Sequence, residues 1–144
     1  TKQIRDTVAT TFTYDAADRL VSQVKSGERV TIMYDAVGNI LLKHQQGSNP
    51  VTFVYDAANQ ITTSQAATTR TTFTYDNNGN LSAERVGAVR TTYTYDPENR
   101  LSVQQVGVDR VTMSYDGDGL RRTRQTSTKL STFVWDGSDY LGEI

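Results

Sequence analysis

A Tyr-Asp pair recurs along nearly the whole chain, at Tyr14-Asp15, Tyr34-Asp35, Tyr55-Asp56, Tyr75-Asp76, Tyr95-Asp96 and Tyr115-Asp116, with Trp135-Asp136 as a seventh copy. The spacings are 20, 21, 20, 20, 20 and 20 residues. A fixed period confines the chain to stacked equivalent units, each of which packs mainly against its neighbours. Three residues before each aromatic stands a threonine: Thr11, Thr31, Thr52, Thr72, Thr92, Thr112 and Thr132. Two before it the residue is large and apolar or aromatic: Phe12, Ile32, Phe53, Phe73, Tyr93, Met113 and Phe133. A unit of 20 residues holds two strands and their turns, with no room for a helix as well.

In the copy Thr72 to Leu81, TFTYDNNGNL, polar and apolar residues alternate with period two. Phe73 and Tyr75 therefore fall on one face of a half-buried strand, and Thr72 and Thr74 on the other. Threonine and aromatic side chains suit a pleated surface, where they pack against cross-strand neighbours. Four residues past each aromatic come Asp18, Gly38, Asn59, Gly79, Asn99, Gly119 and Asp139, all of types that tolerate positive φ. Each of the six tyrosine-linked aspartates, Asp15 to Asp116, sits where its carboxylate can cap the turn by accepting a backbone N–H two residues on. The second strand begins at Leu20, Ile40, Ile61, Leu81 or Leu101. Each unit thus reads as strand, four-residue turn, strand, with a looser link to the next, marked in four cases by Gly27, Gly47, Gly87 or Gly107.

Simple alternation places Ser22, Thr63, Arg85, Gln105 and Gln125 on the tyrosine face, which leaves that face only partly apolar. Such a composition does not suit two sheets packed over a thick dry core. The expected fold is all-β: tandem hairpins of about 20 residues in one long curved antiparallel sheet. The whole of 1–144 is expected to form a single array, with 1–10 as the second half of a preceding unit. In the last unit Leu120 comes one residue early and Arg121 takes the apolar site, so the array is expected to change character there.

Fifteen basic against sixteen acidic residues give a net charge of -1, which supplies no global field for nucleic acid or anionic lipid. No apolar run reaches membrane-spanning length, so no membrane insertion is expected. Without cysteine there is neither disulfide nor thiolate nucleophile. His44, the single histidine, would have to serve as base in any Ser-His-Asp scheme, and no nucleophile motif stands beside it. Asp116-Gly-Asp-Gly119 and Asp136-Gly-Ser-Asp139 resemble pieces of calcium loops but lack the full ligand spacing, so no metal or cofactor is expected. Arg29, Arg70, Arg90 and Arg110 fall on the threonine face, either as a solvated row or as a lining for an anionic cargo. Arg121, Arg122 and Arg124 are too few to mark a nucleic-acid site. The Tyr-Asp rows read as a structural ladder of neighbouring aromatics. They also read as a platform for sugar rings.

The motif Tyr-Asp-x-x-Gly/Asn-Asn/Arg-Leu/Ile, in copies such as YDAVGNI, YDNNGNL and YDPENRL, resembles the RHS or YD-repeat family over nearly the whole chain. YDGDGLRRTRQ followed by FVWDGSDYLGE is similar to the end of the array in bacterial RHS proteins. The resemblance implies a spiral of hairpins building a hollow shell, as in bacterial polymorphic toxins, the cocoon of insecticidal Tc complexes and the teneurins. It also implies a secreted or cell-surface setting and a non-enzymatic structural role, with the motif residues, Gly38, Gly79 and Gly119 among them, as its structural signature. The partner would be the remainder of the same polypeptide, including a C-terminal effector that the shell encapsulates or displays. Open sheet edges would also allow a homo-oligomer. The alternative from a different class is an adhesion or glycan-binding module.

Overall fold

The computed structural model describes residues 9–144. Among them every regular element is a strand: β1 (Thr10–Tyr14), β2 (Leu20–Lys25), β3 (Glu28–Tyr34), β4 (Ile40–Gln45), β5 (Val51–Tyr55), β6 (Ile61–Ala66), β7 (Thr69–Tyr75), β8 (Leu81–Val86), β9 (Val89–Tyr95), β10 (Leu101–Val106), β11 (Asp109–Tyr115), β12 (Arg121–Gln125), β13 (Leu130–Asp136) and β14 (Asp139–Glu143). The strands follow one another in chain order in a 14-stranded antiparallel sheet. Two compact units divide within β7, one ending at Thr71 and the other running from Thr72 to Ile144. The expected half-strand at 1–10 lies outside the described residues as far as residue 8, and Thr10 already belongs to β1.

Each odd-numbered strand ends on the repeat aromatic, except β13, which runs one residue further to Asp136. At that point the ladder carries a bulge. Tyr14 is opposite Leu20, whereas Thr13 is opposite Ser22, so Val21 is an extra residue in β2. The same shift occurs at Met33/Tyr34, Val54/Tyr55, Ser114/Tyr115 and Val134/Trp135. A bulge adds one residue to one strand and so reverses the alternation of everything beyond it. This overturns one expectation from simple alternation. Ser22 stands opposite Thr13, Thr63 opposite Val54, Arg85 opposite Arg90, and Gln105 and Gln125 opposite Thr92 and Thr112, all on the threonine face. The aromatic face instead receives Gln23, Lys43, Ser64, Gln104 and Arg124, opposite Phe12, Ile32, Phe53, Tyr93 and Met113.

Three of the links are also tighter than the sequence suggested. Lys25 pairs with Glu28, Val86 with Val89 and Val106 with Asp109, leaving the two-residue turns Ser26-Gly27, Gly87-Ala88 and Gly107-Val108. Their first residues take positive φ, 54° at Ser26 and 58° at both Gly87 and Gly107. A left-handed first position matches the twist of the flanking strands, which is why so short a connection suffices. Burial is shallow throughout. Among the described residues only Ala83 and Phe133 are buried hydrophobics, each 6% exposed. Residues just before the aromatic, such as Met33 and Val54, face solvent. Backbone ladders and contacts between neighbouring hairpins therefore carry the fold, in place of a dry core.

Candidate functional site: the Tyr-Asp ladder

The Tyr-Asp turn is built around the aspartate. In Asp96 one carboxylate oxygen accepts the backbone N–H groups of Glu98 (3.1 Å) and Arg100 (2.8 Å), and the other accepts Arg100 Nε (2.7 Å). Asp15 is held the same way by Ala17, Arg19 and the Arg19 side chain. Asp35 and Asp76 take the amide side chains of Asn39 and Asn80 in place of arginine. Within each of the six tyrosine turns the fourth residue past the aromatic donates its N–H to the aspartate carbonyl, as Asn99 does to Asp96 at 3.0 Å. That residue is left-handed six times: Asp18, Gly38, Asn59, Gly79, Asn99 and Gly119.

These contacts set the acidity of the carboxyls. In Asp35, Asp76 and Asp96 partial burial works to raise the pKa, but the combined backbone and side-chain hydrogen bonds from Asn39, Asn80 and Arg100 hold it below the ordinary value. In Asp15 the Arg19 backbone N–H is the leading cause of the lowering.

Neighbouring hairpins are riveted by the aromatic's own polar atom. Tyr34 donates its hydroxyl to the carbonyl of Leu20 (3.0 Å), and Tyr55 to that of Ile40 (3.0 Å). In the second unit Tyr95 donates to Leu81 (3.1 Å), Tyr115 to Leu101 (2.9 Å), and Trp135 Nε1 to Arg121 (2.9 Å). The acceptor is always the first residue of the preceding hairpin's second strand, where the bulge disturbs the ladder. Phenylalanine could fill the space but not make the bond. The neighbour contact is thus hydroxyl, or in Trp135 indole N–H, to carbonyl at these steps, where the sequence suggested ring stacked on ring. Ring pairs appear in the last hairpin, between Tyr140 and Phe133 and between Tyr140 and Trp135.

A second tie, missed in the sequence, runs from the fifth residue past the aromatic. Arg19 reaches from its own aspartate to the carbonyl of Asp35 (2.9 Å) and lies 4.8 Å from the Tyr34 ring centre. Arg100 does the same to the Asp116 carbonyl (3.1 Å) and the Tyr115 ring (4.9 Å). Asn39 and Asn80 instead bond Asn59 and Asn99, the left-handed residues of the next turn. The signal was present in the motif, since positions 19, 39, 60, 80 and 100 all hold Arg, Asn or Gln, whose side chains can donate.

The change of character falls one hairpin later than expected. The turn at Asp116 keeps its form, with Gly119 N–H on the Asp116 carbonyl (3.1 Å) and Leu120 N–H on its carboxylate (2.9 Å). In the next hairpin Asp136 pairs directly with Asp139, leaving a two-residue turn in which Gly137 takes the positive φ. Asp139 is therefore a strand residue, contrary to the left-handed position its spacing predicts.

Residues 2–132 match the model of the Teneurin YD-shell family. The chain belongs to that family. No curated protein matches it. Among solved structures it is similar to the Photorhabdus luminescens Tc holotoxin pore (TM-score 0.73, 16% identity, covering 93% of this chain and 9% of that one). It is likewise similar to the TcdB2-TccC3-Cdc42 structure (TM-score 0.73, 16% identity, 88% and 8%) and to TcdB2-TccC3 (TM-score 0.71, 16% identity, 88% and 9%). The YD chain thus spans less than a tenth of the length of these neighbours, and at this identity the likeness concerns the fold.

The remaining sequence candidates occupy separate places in the YD array. His44 Nε2 donates to the Ser48 carbonyl (3.0 Å). Among the described residues no three of His, Cys, Asp or Glu gather where they could share a metal ion. Arg121 lies over the Phe133 ring at 4.3 Å, on the aromatic face. Arg90 and Arg110 stand opposite Arg85 and Gln105 on the threonine face.

Proposed function

We propose that this YD array is a wall segment of a shell, a non-enzymatic structural piece. Together with the remainder of its polypeptide it would encapsulate or display a C-terminal effector, in a secreted or cell-surface setting. The observation that carries this reading is the rivet from five of the repeat aromatics to the carbonyl one hairpin back, at Leu20, Ile40, Leu81, Leu101 and Arg121. A bond that repeats with the period makes each hairpin the platform for the next, so an array grows by addition without needing a core at any one place. Its edges remain open for pairing with further hairpins of the same polypeptide or with a second copy.

The seven motif pairs, Tyr14-Asp15 to Trp135-Asp136, with Gly38, Gly79 and Gly119, are then structural residues. A glycan platform is less well supported, because the tyrosine hydroxyls are directed at carbonyls and the carboxylates are engaged in their own turns. Limited proteolysis of the full-length polypeptide tests the wall reading. The C-terminal domain should resist cleavage inside the intact protein and become sensitive when Tyr34→Ala and Tyr115→Ala open the array. Equal sensitivity in the intact polypeptide and as a free domain would refute it. A reproducible hit on a glycan array, lost with the same changes, would favour adhesion.

A further inference from the structure

Across β8 to β11 the threonine face of the second unit holds cations without acids. Arg85 in β8 and Arg90 in β9 are direct cross-strand partners. Arg110 follows in β11, opposite Gln105. Like charges placed directly opposite one another destabilise a sheet unless something lies between them. The nearest acidic side chains point elsewhere. Glu84 is turned to the aromatic face, where its carboxylate accepts the Tyr93 hydroxyl (3.0 Å), and Asp109 alternates with Arg110 onto that face too. Between these arginines the surface is Thr92, Gln105 and Thr112, neutral groups that donate and accept hydrogen bonds.

The ligand class follows from what the face lacks as well as from what it holds. Nucleic-acid bases and sugar rings are gripped by aromatic faces, and the repeat aromatics of this unit lie on the opposite side of the sheet. Guanidinium forks match carboxylates, which they can hold by two parallel bonds. Arg90 and Arg110 lie two strands apart, about 9.5 Å across the sheet, and Arg110 is level with Gln105 and Thr92, so the two are also offset by two residues along the strands. A polyproline II segment advances about 9.3 Å per turn of three residues, bringing every third side chain to the same side. We propose that this face binds an extended acidic polypeptide segment lying obliquely across the strands with a carboxylate at every third residue, the long arginine stems taking up the two-residue offset. One acid sits between Arg85 and Arg90 and the next meets Arg110. This goes beyond the wall reading and does not depend on it, since it concerns one face of the array whichever way that face points.

Fluorescence anisotropy with the whole chain and a labelled peptide of about twelve residues, built from Pro-Pro-Glu repeats, tests the proposal. Binding should weaken about tenfold or more in the Arg85→Gln, Arg90→Gln, Arg110→Gln triple variant, and should fall steeply with salt. Arg124→Gln, on the aromatic face, should leave it unchanged. The triple variant should unfold at the same or a higher denaturant concentration, because the Arg85/Arg90 opposition is relieved. Should it fail to fold, Arg90→Gln alone carries the test through a weaker loss. Equal binding by the triple variant, equal binding of a Pro-Pro-Gln peptide, or tighter binding of a poly-dT strand than of the acidic peptide would each overturn the proposal.

Discussion

The turns at Asp96 and Asp116 are alike within themselves and differ in what they offer to the next hairpin. Both place a left-handed residue four past the tyrosine, Asn99 and Gly119, and both fold a carboxylate oxygen onto backbone N–H groups. At Asp96 the fifth residue is Arg100, which occupies the second carboxylate oxygen, reaches the Asp116 carbonyl and covers the Tyr115 ring. At Asp116 the fifth residue is Leu120, which has no polar side-chain atom to extend. The hairpin that follows is also the one whose turn has lost the Asp-capped form. Closing a turn and tying it to its neighbour are therefore separate tasks. The aspartate performs the first and the residue four further on the second.

The largest way to break this pattern is to remove a rivet with its ring. Tyr115→Ala should cost about 3 kcal/mol, within the range for large-to-small aromatic changes. Urea denaturation followed by circular dichroism would measure it, and a loss under about 1 kcal/mol would show that the ring carries little. Next comes backbone strain at a position both turns share. Gly119 takes φ +84°, and an added Cβ would meet nothing within 4 Å, so any penalty there is conformational. Gly119→Val should cost about 2 kcal/mol, since β-branched residues resist positive φ. Gly119→Asn should be mild, because Asn59 and Asn99 already hold the equivalent place at φ 60° and 63°. Equal losses for the two variants would show that something other than φ decides this site. The hydroxyl alone is smaller still. Tyr115→Phe keeps the ring and strands the Leu101 carbonyl, for about 1 kcal/mol.

Acid should unpick the capped turns before it touches the rivets. Asp15, Asp35, Asp76 and Asp96 all titrate in the folded chain below the ordinary value of 3.8. A folded-state pKa below the unfolded one gives stability that is present above the unfolded value and lost as pH falls through the folded one. The melting temperature should accordingly hold steady from neutrality to about pH 5 and decline below about pH 4. Asp96→Asn should flatten part of that decline. A melting curve indifferent to pH between about 5 and 2 would separate these carboxylates from stability altogether.

Much of this was legible in the sequence, and the misses have one physical root. Period, strand content, the six left-handed positions and the aspartate's place beside them follow from residue types whose backbone preferences are local. The bulge is not local. Val21 looks like an ordinary strand residue, and only the register of Tyr14 on Leu20 against Thr13 on Ser22 makes it extra. One undetected residue then moved Ser22, Thr63 and Arg85 to the wrong face. The last hairpin misled for the opposite reason. Trp135-Asp136 carries the motif, yet Gly137 directly after it accepts positive φ and closes a shorter turn before Asp139 is reached. The rivets were half visible. Every repeat position holds Tyr or Trp, never Phe, and what those rings share is a polar hydrogen at the rim.

The smallest effect is the sharpest test of the division between closing and tying. Arg100→Leu copies the Asp116 arrangement into the Asp96 turn. The Asp96 carboxylate keeps the N–H groups of Glu98 and Arg100, because these come from the backbone, so the turn itself should persist. What disappears is the reach to the Asp116 carbonyl and the cover over Tyr115. Partly exposed charged groups contribute little each, so the loss should be less than that of Tyr115→Phe and should shrink as salt is added. Leu120→Arg is the converse. It restores the side chain that can bond Asp116, but the hairpin ahead presents the Asp136–Asp139 pair in place of a capped turn, so the Asp136 carbonyl stands in a different setting from that of Asp116. Its stability should therefore stay within experimental error of the parent, while Arg100→Leu is measurably weaker. A gain from Leu120→Arg as large as the loss from Arg100→Leu would mean that the arginine acts on its own aspartate alone, and that neighbouring turns are not tied through it.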